Sequence, residues 1–300
     1  MTIVASDISK LLEAGLKTIF FEAYQQAPTY YPQVATIIPS SKDKETYGWL
    51  GALPMMREWI DERLPRGLAA HDFTIENKNW ELSISVDRNA LDDDQYGQIK
   101  ARITAMGEEA ARHIDQLVFG LLGDGFTSLC YDGQNFFDTD HPVDGGASTQ
   151  SNKGTAALSA PNYALARAAM MSFKDDQGKV MGIVPDILLV PPMLEETARQ
   201  ILNSDFYPAF GEGNSANPWK GSAELIVSPH LNSASNWFLL CTKRAVKPAI
   251  LQMRKEVSFS ALEDNSERGF IRREFIYGAD ARYNVGLGMW QFAYGSQVVS

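Results

Sequence analysis

Three hundred residues with 45% hydrophobic and 21% charged side chains have the composition of an ordinary globular chain, with room for one large domain or two modest ones. That excludes collagen-like, coiled-coil and disordered classes. The net charge of −10, from 27 basic and 37 acidic residues, argues against a protein that grips nucleic acid, because affinity for phosphates needs clustered Lys and Arg.

In chain order, residues 1–46 read as an arm. Ile8, Leu11, Leu12, Leu16, Ile19, Phe20 and Tyr24 recur at three and four, which predicts an amphipathic helix over 7–25 that Pro28 stops. Asp7, Lys10, Glu13 and Lys17 interrupt it, so the unbroken apolar centre of a secretory signal is missing and a cytoplasmic protein is expected. A Tyr- and Pro-rich extended stretch, 27–39, follows. Residues 47–86 read as a long hairpin. Trp80, Leu82, Ile84 and Val86 alternate with polar residues, as do Phe73 and Ile75 across a turn at 77–79. Its outer half, 55–71, sets Arg57, Glu58, Asp61, Glu62, Arg63 and Arg66 around Trp59, a large aromatic among ions of both signs that fits a surface meeting a partner.

The strongest periodicity is Ile99, Ile103, Met106, Ala110, Ile114, Leu117 and Leu121, introduced by Asp92, Asp93 and Asp94 and stopped by Gly123 and Gly125. It predicts a helix over 95–122, about 40 Å long at 1.5 Å per residue. Residues 126–142 are turn-rich, and 144–155 read as a Gly-, Ser- and Asn-rich linker. A second αβ unit has helices over 163–173 and 195–202 around a buried strand, 183–190. Strands are expected at 225–227, 237–241, 257–259, 270–279 and 285–294. The longest apolar runs, such as 187–190, fall far short of the roughly 18–20 residues that span a bilayer.

Few residues invite chemistry. Cys130 and Cys241 lie far apart, which excludes a disulfide framework or a cysteine-rich zinc site and leaves two buried thiols. Asp132, Asp138, Asp140, His141 and Asp144 form an acidic cluster, but counted from Asp138 the fifth and sixth positions are Pro142 and Val143, where a calcium loop needs an oxygen ligand and a glycine. These dipeptides suit turns, and no metal or cofactor is expected. The run 211–216 matches G-x-G-x-x-A without the strand and helix that a dinucleotide site requires. His113 reads as a helix-face residue, and Lys78 between Asn77 and Asn79 as part of a turn.

Two sets of residues carry a resemblance. Val86-Asp87-Arg88-Asn89-Ala90-Leu91-Asp92-Asp93 before the long helix and Leu121-Leu122-Gly123-Asp124-Gly125 after it resemble the major capsid proteins of tailed bacteriophages. Thr46-Tyr47-Gly48-Trp49-Leu50-Gly51, Cys130-Tyr131-Asp132-Gly133-Gln134-Asn135-Phe136-Phe137-Asp138, His141-Pro142-Val143 and Arg244-Ala245-Val246-Lys247-Pro248 are similar to the major head subunit of Mu-like phages and prophages. The resemblance implies an α+β chain of the Hong Kong 97 type. Its parts are an arm at 1–46, an extended loop at 47–86, a peripheral domain at 87–155 and 245–300 with the spine helix, and an axial domain at 156–244. It implies a shell protein in the virion, not an enzyme, assembled in the bacterial host cytoplasm. Hexamers and pentamers would enclose double-stranded DNA without specific binding, helped by a scaffold, a maturation protease and a portal. Arg57, Glu58, Trp59, Asp61, Glu62, Arg63 and Arg66 are the expected intersubunit contacts. The alternatives are a metal-dependent hydrolase using Asp138, Asp140 and His141, and a tail or baseplate protein.

Overall fold

A computed structural model describes residues 5–48, 73–87, 96–143, 146–175, 178–208, 214–262 and 274–298. The arm begins with α1 (Ala5–Gln26), followed by a single helical turn, α2 (Tyr31–Val34), and strand β1 (Ala35–Pro39). Next come β2 (Lys44–Thr46), β3 (Thr74–Glu76), β4 (Lys78–Asp87) and the spine helix α3 (Tyr96–Gly123), within a residue of its expected bounds.

Strands β3 and β4 do not pair across 77–79. β3 pairs with β2, whereas β4 pairs with β14 (Glu274–Leu287). Asn77 is buried and its amide donates to Ser40 Oγ and Lys42 O, so it ties β3 to the arm rather than turning a hairpin. β14 also pairs with β13 (Ala249–Leu262), giving a four-stranded sheet in the order β1-β13-β14-β4. Here the expected strand 257–259 is too short, because Ile250, Leu251 and Gln252 are all buried and hide the alternation that marks a strand, and the expected strand 285–294 is broken, since β14 ends at Leu287 and a tight helical turn follows at Trp290–Phe292. The register sets Leu82, Ile84 and Val86 against Ala279, Tyr277 and Phe275, and this face is covered by α1 and the first half of α3.

After α3 the chain forms β5 (His141–Val143), β6 (Ser148–Gln150), β7 (Lys153–Gly154) and helix α4 (Ala160–Met171). Then follow β8 (Ile187–Val190), α5 (Glu195–Asn203), β9 (Phe206–Pro208), β10 (Asn214–Ala216), β11 (Glu224–Val227) and β12 (Trp237–Leu240). After β13 and β14, β15 (Ala293–Ser296) completes a five-stranded sheet ordered β11-β8-β12-β15-β7. Residues 144–155 are therefore not simply a linker, since they supply β6, which pairs with β5, and the edge strand β7. A boundary at 155/156, and a peripheral part that takes all of 245–300, would both cut this second sheet.

The spine explains why one helix spans two cores. Ile99, Ile103 and Met106 pack with Leu16 and Phe20 of α1 and with Phe259, Phe275 and Tyr277 of the first sheet. Ile114, Val118, Phe119 and Leu122 belong to the larger core around β8 and β12. There the buried face moves from the expected Leu117 and Leu121 to Val118, Phe119 and Leu122, all fully buried. That half of the helix is enclosed on more than one side, so no single stripe describes it.

Candidate functional site

The acidic cluster folds into a buried polar hub. His141 is fully buried and stacks on Trp290 with ring centroids 4.0 Å apart. Its Nδ1 lies 2.6 Å from Asp132 Oδ2 and its Nε2 lies 3.1 Å from Asn152 Oδ1. The orientation of the Asn152 amide is set by its neighbours. Its nitrogen donates to the carbonyls of Phe136, Trp290 and Ala293, and its oxygen accepts from the Asp138 N–H. An oxygen cannot donate, so His141 Nε2 carries a hydrogen and donates it. The 2.6 Å contact on the other side ties Nδ1 to the Asp132 carboxylate.

Both imidazole nitrogens are therefore committed within the chain. Asp138 is occupied as well, accepting from Asn135 N, Asn135 Nδ2 and Thr139 N. These bonds and the nearby Lys153 outweigh partial burial and hold its carboxyl below the usual range. Asp138, Asp140 and His141 do not converge on one point, and among the described residues no group of three or more His, Cys, Asp or Glu could hold a metal. The hydrolase reading has no geometry to rest on.

The other sequence motifs resolve similarly. Asn214–Ala216 form β10, paired with β9, and do not open a helix as the end of a dinucleotide loop would. Cys130 and Cys241 are free and buried, and burial pushes both thiols up in pKa, away from reactivity. His113 Nδ1 and the Tyr283 hydroxyl share a hydrogen bond of 2.8 Å, and the His113 ring sits 4.4 Å from Trp80. Burial pulls its pKa down, as a helix-face residue against a sheet requires.

What remains is a set of attachments where the arm and the two ends of the 47–86 segment meet the body. The expected contact residues Arg57, Glu58, Trp59, Asp61, Glu62, Arg63 and Arg66 lie outside the described residues. The two ends of their segment do not: Tyr47 N donates to Phe73 O at 2.7 Å, and the Tyr47 hydroxyl donates to Gln252 Oε1 at 2.8 Å. Burial pushes the Tyr47 phenol up to about 12, so it keeps the proton it donates. Gln252 in turn donates to Ile75 O, which closes the base of the loop against β13.

The arm is latched by Asp115 on α3, a residue whose sequence context marks it only as part of the polar face. Its buried carboxylate accepts from the backbone N–H groups of Tyr30 and Tyr31 at 2.7–3.1 Å, where the chain turns from α1 into α2. Burial raises its pKa above 3.8, against the opposing pull of those two N–H groups. Since the folded value is the higher one, this group favours the fold most below 3.8, and that contribution is lost as pH rises through the raised value. Asp115→Ala is expected to cost about 2 kcal/mol, because two stranded N–H groups outweigh the relief of a desolvated charge. Limited proteolysis should then cut first within residues 27–34. Asp115→Asn should remove this part of the pH dependence, so a wild-type stability that does not decline relative to Asp115→Asn between acid and neutral pH would contradict the raised pKa.

A family profile described as Mu-like prophage major head subunit gpT matches residues 9–157, 153–231 and 232–299. The Mu-like prophage FluMu major head subunit of Haemophilus influenzae is 31% identical over 295 residues, 98% of this chain and 74% of that protein. The major capsid protein of Escherichia phage Mu is 29% identical over 297 residues, again 98% and 74%. Among solved structures, a chain of the bacteriophage JBD30 procapsid is 33% identical with a TM-score of 0.62, covering 99% of this chain and 77% of that one. The capsid of cyanophage P-SCSP1u, at 12% identity and a TM-score of 0.57, covers 91% and 89% and shares the fold. Matched by the profile from residue 9 to residue 299, the chain belongs to the Mu-like major head subunit family.

Proposed function

We propose that copies of this chain form the pentamers and hexamers of an icosahedral head around double-stranded DNA, with a separate scaffold, a maturation protease and a portal as partners. As a major head subunit it is a structural protein of the virion and not an enzyme. The observation that carries the reading is the family match along nearly the whole chain, together with a spine helix shared by two cores and an arm laid along it.

The division into a 1–46 arm, a 47–86 loop, a peripheral part at 87–155 and 245–300 and an axial part at 156–244 serves this purpose once β7 and β15 join the axial sheet and β4 the peripheral one. Arg57, Glu58, Trp59, Asp61, Glu62, Arg63 and Arg66 are the contacts the loop offers a neighbouring copy. Exposed charge pairs are individually worth less than about 1 kcal/mol, so the contact works by repetition around the shell.

Replacing residues 55–71 with a short Gly-Ser turn should leave a soluble chain with a cooperative thermal transition and no closed particles in negative stain. Arg63→Glu with Arg66→Glu should lower particle yield. Normal particles from the replacement would remove the loop from the interface, and a wild-type chain that stays monomeric with scaffold present would remove the shell reading itself.

A further inference from the structure

Among the described residues ten large apolar side chains are exposed, and six of them fall between 165 and 206: Leu165, Met171, Val180, Val184, Met193 and Phe206. They form two groups. Leu165, 69% exposed, and Met171 stand on the outward side of α4 with Pro161 and Ala168. The only charge of that helix, Arg167, is turned inward to the carbonyls of Pro185 and Ser222. An outward helix face without charge is unusual on a solvated surface. The chain then returns beside α4, where Met181 N donates to Phe173 O, and displays Val180 and Val184. Exposed Lys174 and Lys179 rim this group, with Arg244 held on the carbonyls of Met181 and Gly182.

The second group is Met193, 77% exposed, just before α5 in the chain, and Phe206, 60% exposed, just after it. Its rim is acidic on balance, with Glu195, Glu196 and Asp205 against Arg199, which is bonded to Glu195, and Lys220, which is paired with Asp205. One chain thus carries two different apolar faces of opposite rim charge, which is what a head-to-tail contact needs to close a ring.

We infer that the α4 face of one copy seats on the Met193–Phe206 face of the next copy within a ring, with Lys174 and Lys179 opposite Glu195 and Glu196 of the neighbour. This contact rests on the shell reading and names the surfaces that build its rings. Apolar area supplies the attraction, and the rims set register and exclude the same-face pairing, in which like charges would meet.

The test is a charge-swap cycle in the full chain under conditions where wild type forms particles, read by sedimentation and negative stain with the thermal transition as the folding control. Lys174→Glu with Lys179→Glu, and separately Glu195→Lys with Glu196→Lys, should each lower particle yield about tenfold with an unchanged transition, while all four together restore most of it. Leu165→Asp with Met171→Asp should abolish particles and leave the chain folded. Wild-type yields from either single swap, or no recovery in the combined variant, would overturn the pairing. Complete shells from Leu165→Asp with Met171→Asp that fail only to take up a second protein would assign the α4 face to that protein instead. If wild type forms no particles, the shell reading fails first.

Discussion

Asn152→Ala should be the most damaging single substitution outside the apolar core. The side chain is fully buried and makes five hydrogen bonds, donating to Phe136 O, Trp290 O and Ala293 O and accepting from Asp138 N and His141 Nε2. Alanine removes all five bonds, and although Trp290 O keeps the Ala293 N–H as a donor, each group left without a bond costs about 1–3 kcal/mol. Relaxation prevents a simple sum, and about 5 kcal/mol is expected, a large share of the 5–15 kcal/mol that folded proteins commonly hold. The expected result is a fall of about 10 °C or more in the midpoint of thermal unfolding. Asn152→Asp tests the cause. It keeps the size but turns a second acceptor toward three carbonyls, so it should be no better than alanine. A midpoint within 2 °C or so of wild type for either variant would show that the hub is not what joins the loop after the spine to the second sheet.

Gly107→Ala should destabilise the protein, although the same change in an exposed helix interior ordinarily stabilises by about 0.5–1 kcal/mol. The sign reverses because α1 crosses α3 at this residue. A Cβ there would lie 2.4 Å from Phe20 O, 3.0 Å from Ala23 Cβ and 3.2 Å from Tyr24 N. Most of these atoms are backbone and cannot rotate away, so α1 must move as a body. Leu16 and Phe20, both fully buried against the spine and Phe259, then lose part of their packing. A cost of about 2–3 kcal/mol is expected, in the range of overpacked cores. The arm should become sensitive to protease while the second sheet stays protected from hydrogen exchange. An unchanged or raised midpoint with a protected arm would show that α1 does not depend on this close approach.

The elements that periodicity announces are legible in the amino-acid sequence. The spine helix, the α1 stripe and the fully apolar strands at 187–190 and 237–240 each fall within a few residues of their expected bounds, because burial on one face or on all sides leaves a repeat that the chain itself displays. The turn chemistry around Asp138 is equally local, since its carboxylate bonds only to residues within three positions of it. The family is legible too, through strings such as the one from Cys130 to Asp138.

The rest depends on residues far apart in sequence. Nothing local tells β3 to leave β4 for β2, or extends β13 back to Ala249 through a stretch without alternation. Gly107 gives no local sign that a second helix passes over it. Asn152 sits in a stretch that composition marks as a linker, and becomes a hub only because Trp290 and Ala293 arrive beside it. Asp115 is one more charge on a polar helix face until the turn at Tyr30 and Tyr31 is laid across it. Periodicity is a property of one segment against an unspecified core, so residue order alone tells which segments are helix or strand and which faces are apolar. Pairing, close approach and the satisfaction of buried polar groups are relations between segments, and they exist only once the chain has folded.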